Sequence, residues 1–245
     1  MSQVNLQHAD CLDVLSRLSM NYSLIVADPP YNIGQSYPEY ADKQDPAEYR
    51  KWLDIRIQAC IDKLSDNGSL WLLLPPWIEP SYGGGQLHQK IIWHYRFGQC
   101  MDVKFIPSYA IWYWITKRGA FPIWNPDAIL VESDRKSKYD DRRIQKSKRQ
   151  GFRVPFDVWT EFPRVQGNNK ERCPGHPNQL PELMLARIIK GCSNIGDWVI
   201  DPFLGTGTTC VVAKALDRNF IGIDLSLQCI DTTQKRLLRG AVRHF

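Results

Sequence analysis

The 245-residue chain is short of the features that would place it outside the globular proteins. No apolar run approaches the roughly 20 residues that cross a bilayer. The richest stretch, residues 69–78, is broken by Pro75 and Pro76. The first residues hold no basic region followed by an apolar block, which argues against a secretory leader. A cytoplasmic protein with no membrane partner is the expectation. The seven cysteines, Cys11, Cys60, Cys100, Cys173, Cys192, Cys210 and Cys229, are odd in number, and no two stand in C-x-x-C spacing. That speaks against a disulfide framework and a Cys-rich zinc site. Cys173 and His176 share a C-P-G-H run without a second ligand pair nearby, so no metal is expected. Internal repeats and low-complexity stretches are missing too.

What is present suits a packed domain. Hydrophobic residues make up 43% and charged residues 23%, enough apolar material for a substantial core. The net charge of +5 is unevenly spread. Residues 135–153 carry nine cations (Arg135, Lys136, Lys138, Arg142, Arg143, Lys146, Lys148, Arg149 and Arg153) against Asp140 and Asp141. The local balance of +7 leaves −2 for the remainder. Such a segment suits a polyanion such as DNA. A solvated loop has the same composition, and charge alone does not separate the two.

Periodicity supplies the architecture. Residues 4–10 read as a short strand, and Asp10 as the cap of a helix over 11–18. The nearly all-apolar 23–27 fits a strand buried on both faces. Asp45-Pro46 opens a helix carrying Trp52, Ile55, Ala59, Ile61 and Leu64, which stops at Asn67-Gly68. A second buried strand covers 69–74. The spacing predicts a helix over 88–97, strands within 103–116 and a strand over 128–132. A helix over 181–190, a strand at 198–200, a helix over 208–216, a strand at 220–223 and a closing helix over 227–239 complete the chain. Strands alternating with helices imply an α/β fold, a mostly parallel twisted sheet with helices on both faces. Such sheets bind ligands at the carboxyl ends of their strands, where Asp28, the Gly205/Gly207 loop and Asp224 fall.

Each of these three has a chemistry. The D-P-F-L-G-T-G-T-T loop lets backbone approach a ligand closely. It is neither G-x-G-x-x-G nor a P-loop, which favours a cofactor without phosphate over a phosphate cradle. A plain tight turn remains the alternative. Asp224 suits two ribose hydroxyls, or the start of the next helix, or both. Asp28-Pro29-Pro30-Tyr31 is the sharpest feature. An exocyclic amine on adenine or cytosine is a poor nucleophile, because its lone pair is delocalised into the ring. A carboxylate and a free backbone carbonyl can accept hydrogen bonds from its N–H groups and hold it in place. Asp28 and the Pro29 carbonyl have those types, and Tyr31 can stack on the base. A proline turn after a strand is the bland alternative. An amine inside a duplex is reached only by flipping the base out. Trp112, Trp114 and Trp124 are candidates for lining that route, though core packing is the favoured role for any one of them.

Taken together, these residues resemble the DNA amino-methyltransferases of the adenine N6 and cytosine N4 type, over most of the chain. D-P-P-Y at 28–31 is similar to their catalytic tetrapeptide, and D-P-F-L-G-T-G at 201–207 to their F-x-G-x-G cofactor loop. H-P-N-Q-L-P at 176–181 is similar to their H-P-T-Q-K-P segment, with Asn178 and Leu180 as departures. Asp10-Cys11-Leu12 resembles their D-C segment, and residues 164–172 also fit. The order, catalytic motif first and cofactor loop last, resembles the permuted β class.

That resemblance implies a Rossmann-like methyltransferase domain over 1–245, with a target-recognition region at about 112–155. It implies S-adenosylmethionine as cofactor, double-stranded DNA as partner and a prokaryotic or phage-encoded source. A homodimer and a cognate restriction nuclease are compatible with it. Asp28, Pro29, Pro30 and Tyr31 would be catalytic. Phe203, Gly205 and Gly207 would enclose the cofactor, with Asp201 and Thr208 near its methionine end and Asp224 on its ribose. Asp10 and Cys11 would lie near its adenine, and His176 and Gln179 would help form the pocket. The nine cations of 135–153 would contact DNA. Adenine N6 is the expected target, cytosine N4 the runner-up. An RNA or protein-side-chain methyltransferase, or a non-catalytic DNA-binding partner, is the rival.

Overall fold

The structure, a computed structural model, describes residues 2–19, 21–37, 39–96, 102–103, 105–139, 141–174, 176 and 178–245. The short apolar runs become strands, and the capped amphipathic stretches between them become helices. Strand β1 (Val4–His8) leads to Asp10, whose carboxylate accepts from the Leu12 N–H and starts helix α1 (Cys11–Arg17). Strand β2 (Tyr22–Ala27) runs into the prolines at 29 and 30. Asp45 caps helix α2 (Pro46–Asp62) through the N–H groups of Ala47 and Glu48, with Pro46 in the first turn, where no N–H is needed. Strands β3 (Leu64–Leu74), β4 (Gly85–His94) and β5 (Tyr109–Lys117) follow. Next comes a region of small elements: a 3-10 turn at Pro126–Ile129, strand β6 (Val131–Glu132), helix α3 (Asp134–Ser137), a 3-10 turn at Arg142–Lys146, and strands β7 (Phe152–Arg153) and β8 (Val158–Trp159). Helix α4 (Glu182–Cys192), strand β9 (Trp198–Asp201), helix α5 (Thr208–Ala215), strand β10 (Asn219–Asp224) and helix α6 (Leu227–Arg239) close the chain.

The eight-stranded sheet has the order β1-β10-β9-β2-β3-β5-β4-β8. The first five strands are parallel, β5 is antiparallel to both its neighbours, and β8 is parallel to β4. The mostly parallel α/β architecture expected from the sequence is what forms. From β9 the chain crosses through α5 to β10, and from β2 it crosses through α2 to β3 on the other side. Strands β9 and β2 are therefore neighbours at the point where the winding reverses, which opens a crevice at their carboxyl ends.

Side chains alternate between two cores. Leu24 and Val26 of β2, Trp71 and Leu73 of β3, and Trp112 and Trp114 of β5 face α4 and α5. Ile25 and Ala27, Leu70 and Leu72, and Ile111 and Tyr113 face α1 and α2. Burial on both faces is why these strands read as continuous apolar runs.

Several expectations need correction. The helix expected over 88–97 is strand β4 up to His94, followed by irregular backbone at 95–96, and residue 97 lies outside the described residues. Alternating Ile91, Ile92 and Trp93 satisfy either period over so short a run, and pairing with β5 decides for the strand. The strand expected over 128–132 begins in the 3-10 turn, which holds Ala128 and Ile129; Leu130 is extended, and only Val131 and Glu132 pair as a strand. Pro126 favours a turn there, and the Asn125 side chain ties it to the carbonyls of Lys190 and Ser193. The interval 112–155 starts too early for an insert, because residues 112–117 belong to β5 in the middle of the sheet. Trp112 and Trp114 are core residues there, not the lining of a route to the site.

Ile25 sits at the centre of the sheet, fully buried and paired with Leu70 and Ile200. Ile25→Ala should cost about 2–5 kcal/mol in denaturant unfolding, the range for a large-to-small change in a closed core. A loss below about 1 kcal/mol would mean that β2 is not the central strand.

Candidate active site

Four adjacent parallel strands end in, or just before, an aspartate. Strand pairing aligns His8 with Asp224, Gly222 with Asp201, and Ile25 with Ile200. Asp10, Asp224, Asp201 and Asp28 therefore stand in a row along one sheet edge, at the ends of strands spaced about 4.8 Å apart. All four line one cavity of about 330 Å³.

Each aspartate is held by a different local device. Asp10 keeps its second oxygen for Arg56 of α2, at 2.7 Å. Asp224 accepts from the Gly205 N–H and the Ser226 N–H, both at 2.8 Å. It therefore clamps the glycine loop and holds the N–H of Ser226, the residue that caps α6. Asp201 accepts from the Phe203 N–H at 3.0 Å. Burial pushes its carboxyl up to about 7, opposed by the Thr209 hydroxyl and the Phe203 N–H and reinforced by Asp224. Asp28 accepts from the Tyr31 hydroxyl at 2.5 Å. Its carboxyl is also pushed up to about 7, chiefly by burial, against the Tyr31 hydrogen bond; Asp201 raises it further and Arg164 lowers it.

The proline turn is fixed from behind. The Tyr49 hydroxyl donates to the Pro30 carbonyl at 2.7 Å. No hydrogen bond reaches the Pro29 carbonyl among the described residues, so it keeps its acceptor capacity. On the other side of the crevice, Gly205 and Gly207 take φ of +53° and +71°, a left-handed conformation that glycine adopts without strain. A Cβ on Gly207 would collide with the Thr233 side chain of α6, so glycine is also required for packing.

Most of the expected site residues converge. Asp10, Cys11, Asp28, Pro29, Pro30, Tyr31, His176, Asp201, Phe203, Gly205, Thr208 and Asp224 all line the cavity. Gly207 is not part of the lining and sits at the N-cap of α5, packed on Thr233. Gln179 does not face the cavity. Its amide donates to the Glu171 carbonyl at 2.6 Å and accepts from the Cys173 N–H at 2.8 Å, so it staples its own turn. His176 packs against Gly205, and its Nδ1 is buried with no partner among the described residues.

The basic segment is not brought to the cavity. It follows the turn tied by Asn125 to the carboxyl end of α4, whereas Leu185, near the amino end of α4, lines the cavity. Lys136, Lys138, Arg143 and Arg149 are already paired with Glu132, Asp134, Asp141 and Asp127, at 2.8–3.2 Å. Arg153 lies over the Phe156 ring, 3.6 Å from its centroid. Arg135, Arg142, Lys146 and Lys148 have no ion pair among the described residues. Asp140 lies outside those residues.

Sequence reasoning missed the wall contributed by α2 and the loop before it. Trp52 approaches Phe203 (5.9 Å between centroids) and Tyr40 (5.2 Å), and the Arg56 guanidinium lies 4.1 Å from the Trp52 ring. The spacing of Trp52 and Arg56, one helical turn apart, was the available signal. Buried Asp42 organises the loop by accepting from the N–H groups of Asn32 (2.7 Å), Ile33 (3.2 Å) and Gln35 (2.9 Å). The loop thereby sets Tyr37 and Glu39 beside the cavity.

The cavity has an aromatic end, a row of acids and a paired acceptor at the proline turn. Six carboxylates (Asp10, Asp28, Glu39, Asp42, Asp201 and Asp224) line it against a single arginine, Arg56. That balance favours a ligand with positive charge.

Comparison with known proteins agrees with this arrangement. The profile of a DNA methylase family, N6_N4_Mtase, matches residues 22–235. The DNA adenine methyltransferase YhdJ of Escherichia coli is 33% identical over 240 residues, covering 94% of this chain and 81% of that protein. The type II methyltransferase M.HpaI of Haemophilus parainfluenzae is 30% identical over 237 residues, covering 94% and 72%. In fold, the chain is similar to a crystal structure of an M1.HpyAVI–SAM complex (TM-score 0.61, 20% identity, 96% of this chain and 100% of that one). It is also similar to the cytosine-N4-specific PvuII DNA methyltransferase (TM-score 0.67, 16% identity, 98% and 94%). With a family match across most of its length and a close relative over nearly all of it, this chain belongs to the N6_N4_Mtase family of DNA methylases.

Proposed function

We propose that the chain transfers the methyl group of S-adenosylmethionine to the N6 amine of adenine in double-stranded DNA, as an enzyme of the bacterial cytoplasm. The observation that carries this reading is the divided crevice. The amine-acceptor turn at Asp28 ends β2, and the glycine loop ends β9, its direct neighbour.

The cavity fits the cofactor. Trp52 and Phe203 offer an aromatic surface to an adenine ring, and Asp224 offers a carboxylate to ribose hydroxyls. The excess of carboxylates suits its sulfonium and ammonium charges, and His176 Nδ1, without a partner among the described residues, suits its polar amino-acid end. When bound, the cofactor supplies an electrophilic methyl group. The protein's own part is placement. The Asp28 carboxylate and the Pro29 carbonyl accept from the two N–H groups of the amine, turning its lone pair outward from the ring plane. Tyr31 occupies one Asp28 oxygen and leaves the other for the amine. Asp28 need not be a strong base, because the methylated nitrogen is itself very acidic.

Adenine is favoured by the D-P-P-Y form of the turn and by the adenine specificity named for the Escherichia coli relative. Cytosine N4 is the second reading, supported by the fold shared with the PvuII enzyme. Incubating the protein with duplex DNA and S-adenosylmethionine, digesting the DNA and identifying the nucleosides by mass should return N6-methyladenine. N4-methylcytosine as the sole product would overturn the choice of base.

Asp28 must be ionised to accept from the amine, and its carboxyl is pushed up to about 7. The single-turnover methylation rate should therefore fall about tenfold per pH unit once the pH drops below that value. A flat profile from pH 8 to pH 5.5 would remove Asp28 from the acceptor role.

The stability effect has the opposite sign. A raised carboxyl pKa favours the fold at low pH, and that contribution fades as the pH rises through about 7. Asp28→Asn should abolish transfer, keep S-adenosylmethionine binding and melt above the wild type at pH 8, with a smaller gain at pH 5. Wild-type methylation by this variant would refute the catalytic assignment.

Arg135, Arg142, Lys146 and Lys148, which have neither an ion pair nor an aromatic partner among the described residues, are the candidates for phosphate contact. Replacing three of them with Gln should lower the slope of log affinity against log salt by roughly 0.9 per lost contact. An unchanged slope would return the segment to a solvated loop.

A further inference from the structure

One buried charged group lies just behind the cavity and takes no part in the chemistry above. Arg236, on α6, is 8% exposed and does not line the cavity. Its Nη1 donates to the Thr206 carbonyl at 3.0 Å, the Thr208 hydroxyl at 2.8 Å and the Thr206 hydroxyl at 3.3 Å. Its Nη2 donates to Glu182 Oε1 at 2.9 Å, in the first turn of α4. Glu182 is fully buried, and its other oxygen accepts from the N–H groups of Val242 and Arg243, at 2.8 and 2.9 Å. The Glu182 N–H donates in turn to Glu171, which also accepts from the Arg243 side chain. Both terminal nitrogens of Arg236 and both carboxylate oxygens of Glu182 are thus engaged, and one arm ends on the glycine loop.

A buried ion pair is a poor way to stabilise a fold, because desolvation offsets most of the attraction. What a guanidinium offers instead is a rigid fork of donors in fixed directions. The loop needs such a fork. Gly205 and Gly207 both have positive φ, so the Thr206 carbonyl between them sits outside any helix or sheet. Thr206 and Thr208 line the cavity on one side and meet Arg236 on the other. We infer that Arg236 is a positioning residue for the cofactor loop, holding Thr206–Thr208 in the shape that receives S-adenosylmethionine, while Glu182 fixes the guanidinium. This rests on the proposed cofactor reading. Lysine at 236 would keep the charge but lose the fork, so it could not reach Glu182 and both threonines together.

The test uses the whole chain and isothermal titration with S-adenosylmethionine and with S-adenosylhomocysteine, beside titration with duplex DNA and thermal melts. Arg236→Met leaves Glu182 buried without its partner and is at risk of not folding, so Arg236→Lys and Thr208→Val are the working variants. Arg236→Lys should raise the Kd of both cofactor forms about tenfold and leave that of DNA within twofold. Thr208→Val should raise the cofactor Kd severalfold. The double variant should be no weaker than Arg236→Lys alone, because the arginine acts through that hydroxyl and its loop. A folded Arg236→Lys that binds cofactor within twofold of the wild type would overturn the inference. Losses that multiply in the double variant, or equal losses for cofactor and DNA, would overturn it as well. A wild-type chain that binds neither S-adenosylmethionine nor S-adenosylhomocysteine would instead overturn the functional reading, and this inference with it.

Discussion

The pairing of β2 with β9 is the contact on which the site depends. It joins Leu24 to Val199 and Ile25 to Ile200, residues from opposite ends of the chain. Closing so long a loop costs entropy that grows only with the logarithm of its length. All four side chains are fully buried, and each contributes about 1.5–3 kcal/mol by leaving water. That burial offsets the closure and sets two loops, otherwise unrelated in sequence, side by side. Without that pairing the acceptor turn and the glycine loop would each be an ordinary strand end.

The same contact creates an electrostatic problem. Asp28, half-buried, and Asp201, buried, end adjacent strands, and desolvation pushes both carboxyls up to about 7. A fold selected for stability alone would not line four aspartates along one edge. The tension is stored at the one place where a cationic ligand can relieve it. Binding such a ligand therefore stabilises the folded chain as well as supplying a reactant. Backbone devices that hold the acids in place, such as the Gly205 N–H on Asp224 and the Phe203 N–H on Asp201, keep the carboxylates aimed while the site waits.

What could be read from sequence follows from how local its cause is. Strands β2, β3, β9 and β10 were visible because burial on both faces leaves only apolar residues. The proline turn and glycine loop were visible because Pro and Gly are needed where backbone geometry is unusual. Strand β4 was not, since its exposed His88, Gln89 and Lys90 break the alternation and its pairing with β5 is a tertiary matter. Gln179 was misplaced because its segment was matched as a whole, although the side chain turns inward to Glu171. The Trp52–Arg56 face of α2 carried only its one-turn spacing as a signal, and the Arg236–Glu182 pair joins residues distant in the chain, which no local pattern announces.

The charge map sorts the reactants. The cavity is acidic and the basic segment lies outside it, anchored at the far end of α4. Phosphate is repelled by the row of aspartates, while a cationic cofactor is drawn in and a neutral base enters without penalty. The backbone of a bound duplex must then find its attraction elsewhere on the surface, beyond the roughly 8–10 Å over which salt screens exposed charges. Four of the nine cations in the segment are spent on Glu132, Asp134, Asp141 and Asp127, so its field is weaker than its composition implies. In the proposed reading, a moderate field of this kind would hold a duplex loosely enough to slide, and would leave the extraction of one base to the groups at the proline turn. Separating the two signs of charge lets one chain take a polyanion and a cation at once without either occupying the other's site.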